Sequence, residues 1–369
     1  MFRFGEPRYT VSVKYFLPLF LITGLPNPVD AAGSWDSHDV SMLTLGEAVY
    51  TAGCVPCHGP GGEGLTPDHP NYSSFDPLPA DLSDPLFNST EPAADWFLVV
   101  KYGGRALGLS DQMPAYGGAY SDKEIDAVVV YLKKLADTEG YPHGDLNFLR
   151  PIRTIKVFPE KEALLISRFD GGRNSEVMKN TFCYANRFGK RFQYELKAST
   201  IENSGSTELG LELGLKHAFL SDLEKELLLG GGLEVKFLFE DELSSVLVPY
   251  LGFAKGAGDF TAQGNFRLGL PLNNMSEGKA EISAVGHWMH SAWPRRLFPG
   301  LEGRVVTPFQ KGGTLEVSLI PQVTIALTKG GHVGLAVGME LPLSNQVWDY
   351  RLQAFLVWDY ADGALWSGW

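Results

Sequence analysis

The sequence predicts a multi-domain α + β protein: a small all-α domain followed by an antiparallel, transmembrane β-barrel of about twelve strands. Three observations predict this. Apolar residues recur at helical spacing in short segments of the first third, such as Leu45, Ala48, Val49 and Ala52, and later Ile125, Val128, Val129, Leu132 and Leu135. From Leu209 onward they alternate one residue in two, over segments too long for ordinary globular strands. The length of 369 residues exceeds one small domain and suits two.

The first thirty-one residues read as a leader. Arg3, Arg8 and Lys14 form a positive region, Tyr15 to Leu25 an apolar one, and Val29-Asp30-Ala31 a small-residue cleavage site. The expectation is a Sec signal peptide cut near Ala31, with residues 32–42 heading the mature chain; an uncleaved anchor is the competing reading. No run of eighteen apolar residues follows, so no helical anchor is expected in the mature protein. A net charge of −12 argues against a nucleic-acid partner, because phosphate backbones select basic faces.

The helical domain is expected over residues 43–137. Thr44-Leu45-Gly46-Glu47 has the form of a capping box, opening a helix that runs to Cys54-Val55-Pro56-Cys57-His58. That pentapeptide is the attachment pattern for c-type haem: two thiols bond the vinyl groups, and the adjoining imidazole becomes the proximal iron ligand. Zinc would need further ligands at matching spacing, and the remaining cysteine, Cys183, is far away. Cys183 reads as a small lumen or core filler. Gly59 to Thr90, rich in proline, is expected to be a wrapping loop. Asp95 to Lys101 reads as a short helix closed by Gly103-Gly104. Next come Met113-Pro114 and a second capping box, Ser121 to Glu124, opening an amphipathic helix.

Helix, C-x-x-C-H-G, proline-rich loop, Met-Pro and capped terminal helix occur in the order that class I mono-haem cytochromes c show, and residues 43–137 resemble that family. The resemblance implies one covalent haem c, with thioethers at Cys54 and Cys57, His58 as proximal ligand and Met113 as distal ligand. A thioether opposite imidazole also stabilises ferrous iron, which favours Met113 on chemical grounds. The competing reading makes Met113 a core residue, with His69, His143 or an open site facing the iron. The resemblance further implies that Gly46 and Tyr50 pack the first helix on the last near Tyr131 and Leu132, and that Pro60 or its neighbour supports the proximal imidazole. With both axial positions filled, an electron carrier is expected rather than a catalytic oxidoreductase.

Residues 138–160 show no periodicity and read as a linker, and 161–369 as the barrel. Leu209, Leu211, Leu213 and Leu215 alternate with Gly210, Glu212, Gly214 and Lys216; similar dyads cover Leu233 to Glu240, Phe260 to Leu272, Leu315 to Leu327, Val333 to Leu343 and Trp348 to Tyr360. Lys311-Gly312-Gly313, Lys329-Gly330-Gly331 and Ser344-Asn345 are turn signals. Nine or ten strands are expected from Arg191 to Tyr360, and two more in Ala163 to Phe188. Inward candidates are Glu212, Glu234, Arg267, Glu281, His287, Glu302, Arg304, Glu316, Glu340, Asp349, Arg351 and Gln353, read first as a solvated interior; His287 and His290 fall on opposite faces. Tyr250, Phe260, Trp288, Trp293, Trp348, Tyr350, Trp358 and Tyr360 lie near strand ends, as interfacial aromatic girdles do, and Trp369 suits an aromatic terminus. A soluble β-sandwich is the alternative. This half is similar to twelve-stranded outer-membrane proteins grouped with MetA-like and transporter sequences, a resemblance of pattern that carries no site residue.

The leading expectation is electron transfer by a His/Met-ligated haem anchored at the periplasmic side of a bacterial outer membrane, with periplasmic redox proteins and outer-membrane lipid as partners. The alternatives are a porin or transporter for a small solute with a cytochrome accessory domain, and a cytochrome–porin that oxidises extracellular Fe(II), the extracellular electron donor. Known fusions of the latter kind carry a much shorter haem segment, and a complete haem domain should not fit inside a barrel of this size.

Overall fold

The computed structural model describes residues 40–172, 176–203, 205–239, 243–289, 297–344 and 348–367. The leader, His290, Trp293, Asn345 and Trp369 lie outside the described residues.

Five helices form the first part: α1 (Val40–Gly53), α2 (Val55–His58), α3 (Pro85–Thr90), α4 (Ala93–Tyr102) and α5 (Asp122–Leu132). α1 starts before Thr44, whose hydroxyl donates back to Val40 O at 2.9 Å instead of capping, so the first expected capping box is not formed. The second is: Ser121 and Glu124 cap α5 reciprocally. α1 and α5 cross where Gly46 lies against the backbone of Ala127; a Cβ there would stand 2.1 Å from Ala127 O. Tyr50 packs on Tyr131 with ring centroids 5.3 Å apart, and Val49, Ile125, Val128, Val129 and Leu132 fill the core with Trp96 and Val100 of α4. The segment expected to be all loop contains α3, because Asp84 caps it through Leu86 N–H (2.8 Å) and Pro85 occupies the first helical position. A proline there starts a helix and breaks none.

Twelve strands close a barrel, each antiparallel to its neighbours, with β1 pairing β12: β1 (Glu162–Gly171), β2 (Val177–Phe188), β3 (Phe192–Asn203), β4 (Ser206–Asp222), β5 (Leu227–Phe239), β6 (Leu243–Ala257), β7 (Phe260–Pro271), β8 (Lys279–Trp288), β9 (Leu297–Pro308), β10 (Glu316–Ala326), β11 (Val333–Pro342) and β12 (Tyr350–Asp359). Closure removes every strand edge. Alternation sets the two faces: Leu209, Leu211, Leu213 and Leu215 of β4 lie on the outside, 48–56% exposed, whereas Glu195, Lys216, Glu234, Glu281 and Arg304 are buried within. Phe260 and Trp288 stay on the outer face. Two aromatic residues expected in the girdle turn inward instead. Tyr250 stands over Gly232 in the lumen, and Trp348 is buried with the Arg351 guanidinium 4.0 Å from its ring centroid. Asp349, expected inside, is exposed just before β12.

The segment 138–160 is more than a linker. After a 3-10 turn at Gly144–Leu146 it threads into the barrel as a plug. Leu146, Phe148, Val157 and Phe158 pack on Ala218, Leu228 and Ala254 of β4, β5 and β6, and Ile152 packs on Leu164, Cys183 and Phe355. Lumen side chains take up the plug backbone. Glu302 accepts from Arg153 N–H (3.1 Å) and from Thr154 N–H and hydroxyl (2.5 and 2.6 Å); Gln322 accepts from Ile152 N–H (3.1 Å). Asn265 brackets Ile155, accepting from its N–H and donating to its carbonyl (3.0 Å), while Gln263 donates to Leu149 O (2.7 Å). Non-helical backbone can sit at membrane depth only when its donors and acceptors are met in this way.

Candidate haem site

α1 delivers the haem-attachment turn. Cys54 ends its ladder by donating to Tyr50 O (2.8 Å), and Cys57 and His58 N–H then return to Cys54 O (3.1 and 2.9 Å). One tight turn thus carries both thiols and the imidazole. Gly59 follows at φ 75°, in the left-handed region, and the Tyr50 hydroxyl donates to its carbonyl at 2.6 Å. A side chain at 59 would also displace the Glu63 carboxylate, so glycine is favoured here.

The imidazole is held from across the crevice. His58 Nδ1 lies 3.2 Å from Ala80 O, which leaves Nε2 as the nitrogen that would ligate an iron. The supporting carbonyl therefore comes from the far end of the wrapping loop, and Pro60 and its neighbours do not supply it. Leu82 N–H donates to Gly62 O at 2.7 Å, and this pins the 80s back onto the turn. Burial holds His58 below its ordinary titration range, in the neutral form that binds metals. Burial, then the neighbouring Cys57, pushes the Cys54 thiol up to about 11. A dithiol oxidoreductase needs the opposite shift, toward thiolate. Among the described residues, no group of three or more His, Cys, Asp or Glu side chains is gathered to hold a metal ion, so a zinc site of the usual kind is not assembled around Cys54 and Cys57.

Met113 sits on a loop tied down on both sides of the crevice. Gln112 Nε2 donates to Ser74 O of the wrapping loop (2.8 Å), and the Tyr116 hydroxyl donates to Gly53 O, one residue before Cys54 (2.6 Å). Met113 O accepts from Gly104 N–H at 3.0 Å. Gly103 and Gly104 let this approach happen: a Cβ at Gly104 would be 2.2 Å from Ser110 O. The other two histidines of the competing reading lie on the wrapping loop and beside the barrel. His69 Nδ1 accepts from Asn71 N–H (3.2 Å), and His143 stands at the barrel mouth, its backbone N–H donating to Ser221 Oγ of β4 (3.2 Å). The donor set of two thiols, one neutral imidazole and one loop-borne thioether fits haem c, whose iron would supply a one-electron Fe(III)/Fe(II) couple.

The helical part docks on the mouth where the barrel sequence begins and ends. Arg187 donates to Thr90 Oγ1 (2.9 Å), Lys190 to Glu139 O (2.6 Å) and Arg191 to Gly140 O (2.6 Å), and the Tyr141 ring lies between the Arg187 and Lys190 cations. At this junction burial, with Asp362 and Asp95 nearby, raises Glu91 well above the ordinary carboxylate range.

The lumen holds a second constellation. An unbroken chain of ion pairs runs Arg168–Asp170–Arg351–Glu340–Arg304–Glu281–Arg267 around one side of the wall. On the other side Lys197 contacts Glu195, Glu212 and Glu234 at 3.0, 2.5 and 2.8 Å, with Lys236 and Lys216 completing the group. Of these residues, Arg168, Asp170, Glu195, Lys197, Lys216 and Lys236 were not among the candidates, although strand parity places them inward.

Residues 41–132 match the family model described as cytochrome c oxidase, cbb3-type, subunit III. No curated protein sequence matches the chain. Among solved structures, the KdgM porin is 10% identical with a TM-score of 0.40, covering 53% of this chain and 98% of its own. The NanC porin is 6% identical with a TM-score of 0.42 and the same coverages. An outer-membrane channel from Pseudomonas putida F1 is 10% identical with a TM-score of 0.41, covering 57% of this chain and 99% of its own. The chain thus joins a cytochrome c domain at residues 41–132 to a closed, antiparallel twelve-stranded β-barrel.

Proposed function

We propose that this protein is an electron carrier whose single haem c, bonded to Cys54 and Cys57 and ligated by His58 and Met113, is held at the periplasmic mouth of an outer-membrane barrel. The observation that carries the reading is the two-sided tether of the Met113 loop, to Ser74 and to Gly53. A core methionine needs no such tether, whereas an axial thioether must be held at fixed reach from the iron. The leucine-covered exterior and strands of ten to seventeen residues suit a bilayer crossing. The plug supports an anchor over an open channel. Potentiometry and optical spectroscopy test the ligand set: Met113→Ala should abolish the Met-to-iron charge-transfer band and lower the potential. An unchanged band would remove Met113 from the iron.

The partner's chemistry follows from charge. Residues 40–100 contain no Lys or Arg, and Glu47, Glu63, Asp68, Asp76, Asp81 and Asp84 are exposed among them. The periplasmic redox partners therefore present basic faces to the haem domain, and electron transfer with them slows as salt rises.

A further inference from the structure

We infer that the barrel lumen binds a small oxyanion, of the phosphate or carboxylate class, at the tip of the plug. A cavity of about 130 Å³ lies between plug residues 150–155 and the wall, where β3, β4, β5 and β7 give it charged residues and β1, β2 and β12 give it Leu164, Ile166, Cys183 and Phe355. At ~30 Å³ per water it has room for about four waters, or for one small polyatomic anion in their place.

Its charge is not balanced from within. Glu195, Glu212 and Glu234, the carboxylates that line it, are taken up by Lys197, Lys236 and Lys216, and Arg267 by Glu281. Arg153 is different. Its backbone N–H is fixed by Glu302, yet its guanidinium has no ion pair or hydrogen bond among the described residues, and its Nε is buried without a partner. Lys179, on the inward parity of β2 with Cys183, also makes no ion pair among the described residues; three cations, Lys236, Arg168 and Arg153, and one carboxylate, Glu212, lie within its electrostatic range. The excess survives when the neighbouring carboxylates are included, since the six cations Arg153, Lys179, Arg168, Arg267, Arg304 and Arg351 share four carboxylates, Asp170, Glu281, Glu302 and Glu340.

Surplus cations enclosed by a low-dielectric wall draw an anion from the mouth opposite the haem domain. A guanidinium with free donors recognises a planar or tetrahedral oxyanion in preference to a spherical halide. The plug thereby acquires a second role: it carries Arg153 into the cavity, within electrostatic range of Lys179. This site depends on the barrel and plug alone, so it stands or falls separately from the haem ligation.

The test is equilibrium dialysis or calorimetry of the purified, haem-loaded, full-length protein in detergent, with inorganic phosphate, sulfate and acetate as probes at constant ionic strength set by chloride. Saturable binding of one oxyanion per chain is expected. Arg153→Gln and Lys179→Gln should each weaken it at least tenfold, with the haem spectrum and the trypsin resistance of the plug unchanged. No saturable binding of any of the three probes overturns the proposal, as does binding undiminished in the double variant.

Discussion

Removing the Glu302 carboxylate should release the plug. This buried side chain accepts from Arg153 N–H, Thr154 N–H and the Thr154 hydroxyl, at 3.1, 2.5 and 2.6 Å, and from Gln322 Nε2 at 3.1 Å. In Glu302→Ala the three plug donors lose an ionised acceptor. Hydrogen bonds of that kind contribute about 1.5–3 kcal/mol each. Lumen water can replace part of the loss, so the lower figure applies, giving roughly 4–5 kcal/mol in all. At about 1.4 kcal/mol per factor of ten, the unplugged fraction rises roughly a thousandfold. Arg153 and Lys156 supply trypsin sites that only an unplugged chain exposes, and cleavage follows the open population when opening is fast relative to proteolysis. Mass spectrometry of tryptic fragments therefore reads the equilibrium directly. Glu302→Gln keeps an acceptor and should change the rate far less. A Glu302→Ala rate within tenfold of wild type, with Glu302→Ala/Asn265→Ala no faster, would show that the lumen hydrogen bonds do not hold the plug.

Gly46→Ala should destabilise the haem domain by at least 1–3 kcal/mol, the usual cost of overpacking, because the added methyl stands 2.1 Å from Ala127 O and 2.8 Å from Tyr131 Cβ; thermal unfolding followed by haem absorbance measures it. Docking of the haem domain on the barrel should weaken as pH rises. Glu91 is raised above its unfolded value by burial, by Asp362, Asp95 and Glu160, against Lys133, so its contribution is complete below the ordinary carboxylate range and disappears as pH passes the raised value. Hydrogen exchange at residues 88–92 should accordingly quicken beyond the intrinsic rate as pH rises above the ordinary carboxylate range, by at most about tenfold per pH unit for one carboxyl, and Glu91→Gln should flatten the dependence.

Local patterns made much of this molecule legible in its sequence. The haem turn, the Ser121–Glu124 cap and the leucine dyads of β4 are each specified by residues close together in the chain, and the structure forms them where they were expected. The misreadings share a cause. In β6 both faces are apolar, with Leu251 and Phe253 outside and Val248, Tyr250 and Ala254 inside, so alternation could not tell which way Tyr250 points. The plug had no period to read, since its backbone partners, Gln193, Gln263, Asn265, Glu302 and Gln322, come from strands far along the chain. One signal was available: those uncharged amides sit at inward positions in β3, β7 and β10, where a water-filled lumen has no need of them. Carboxamides that can both donate and accept suit a guest backbone.

The plug also constrains how the proposed carrier works. Were the lumen open, a small redox-active solute could reach the haem from the far side. With residues 146–160 filling the lumen on the haem side, that route is closed, and one haem at the mouth cannot pass an electron across about 30 Å of hydrocarbon. Donor and acceptor must then both approach from the side of the haem domain. The same base-free acidic surface would serve each in turn, which requires weak, salt-sensitive docking and rapid release. Charge reversal there, as in Asp76→Lys/Asp81→Lys, should consequently slow reduction by a basic donor protein and oxidation by a basic acceptor protein together, by about the same factor. Stopped-flow measurement of both half-reactions at low salt decides it. Loss of one with the other intact would mean two separate faces, and a route for the second electron transfer that the filled lumen does not supply.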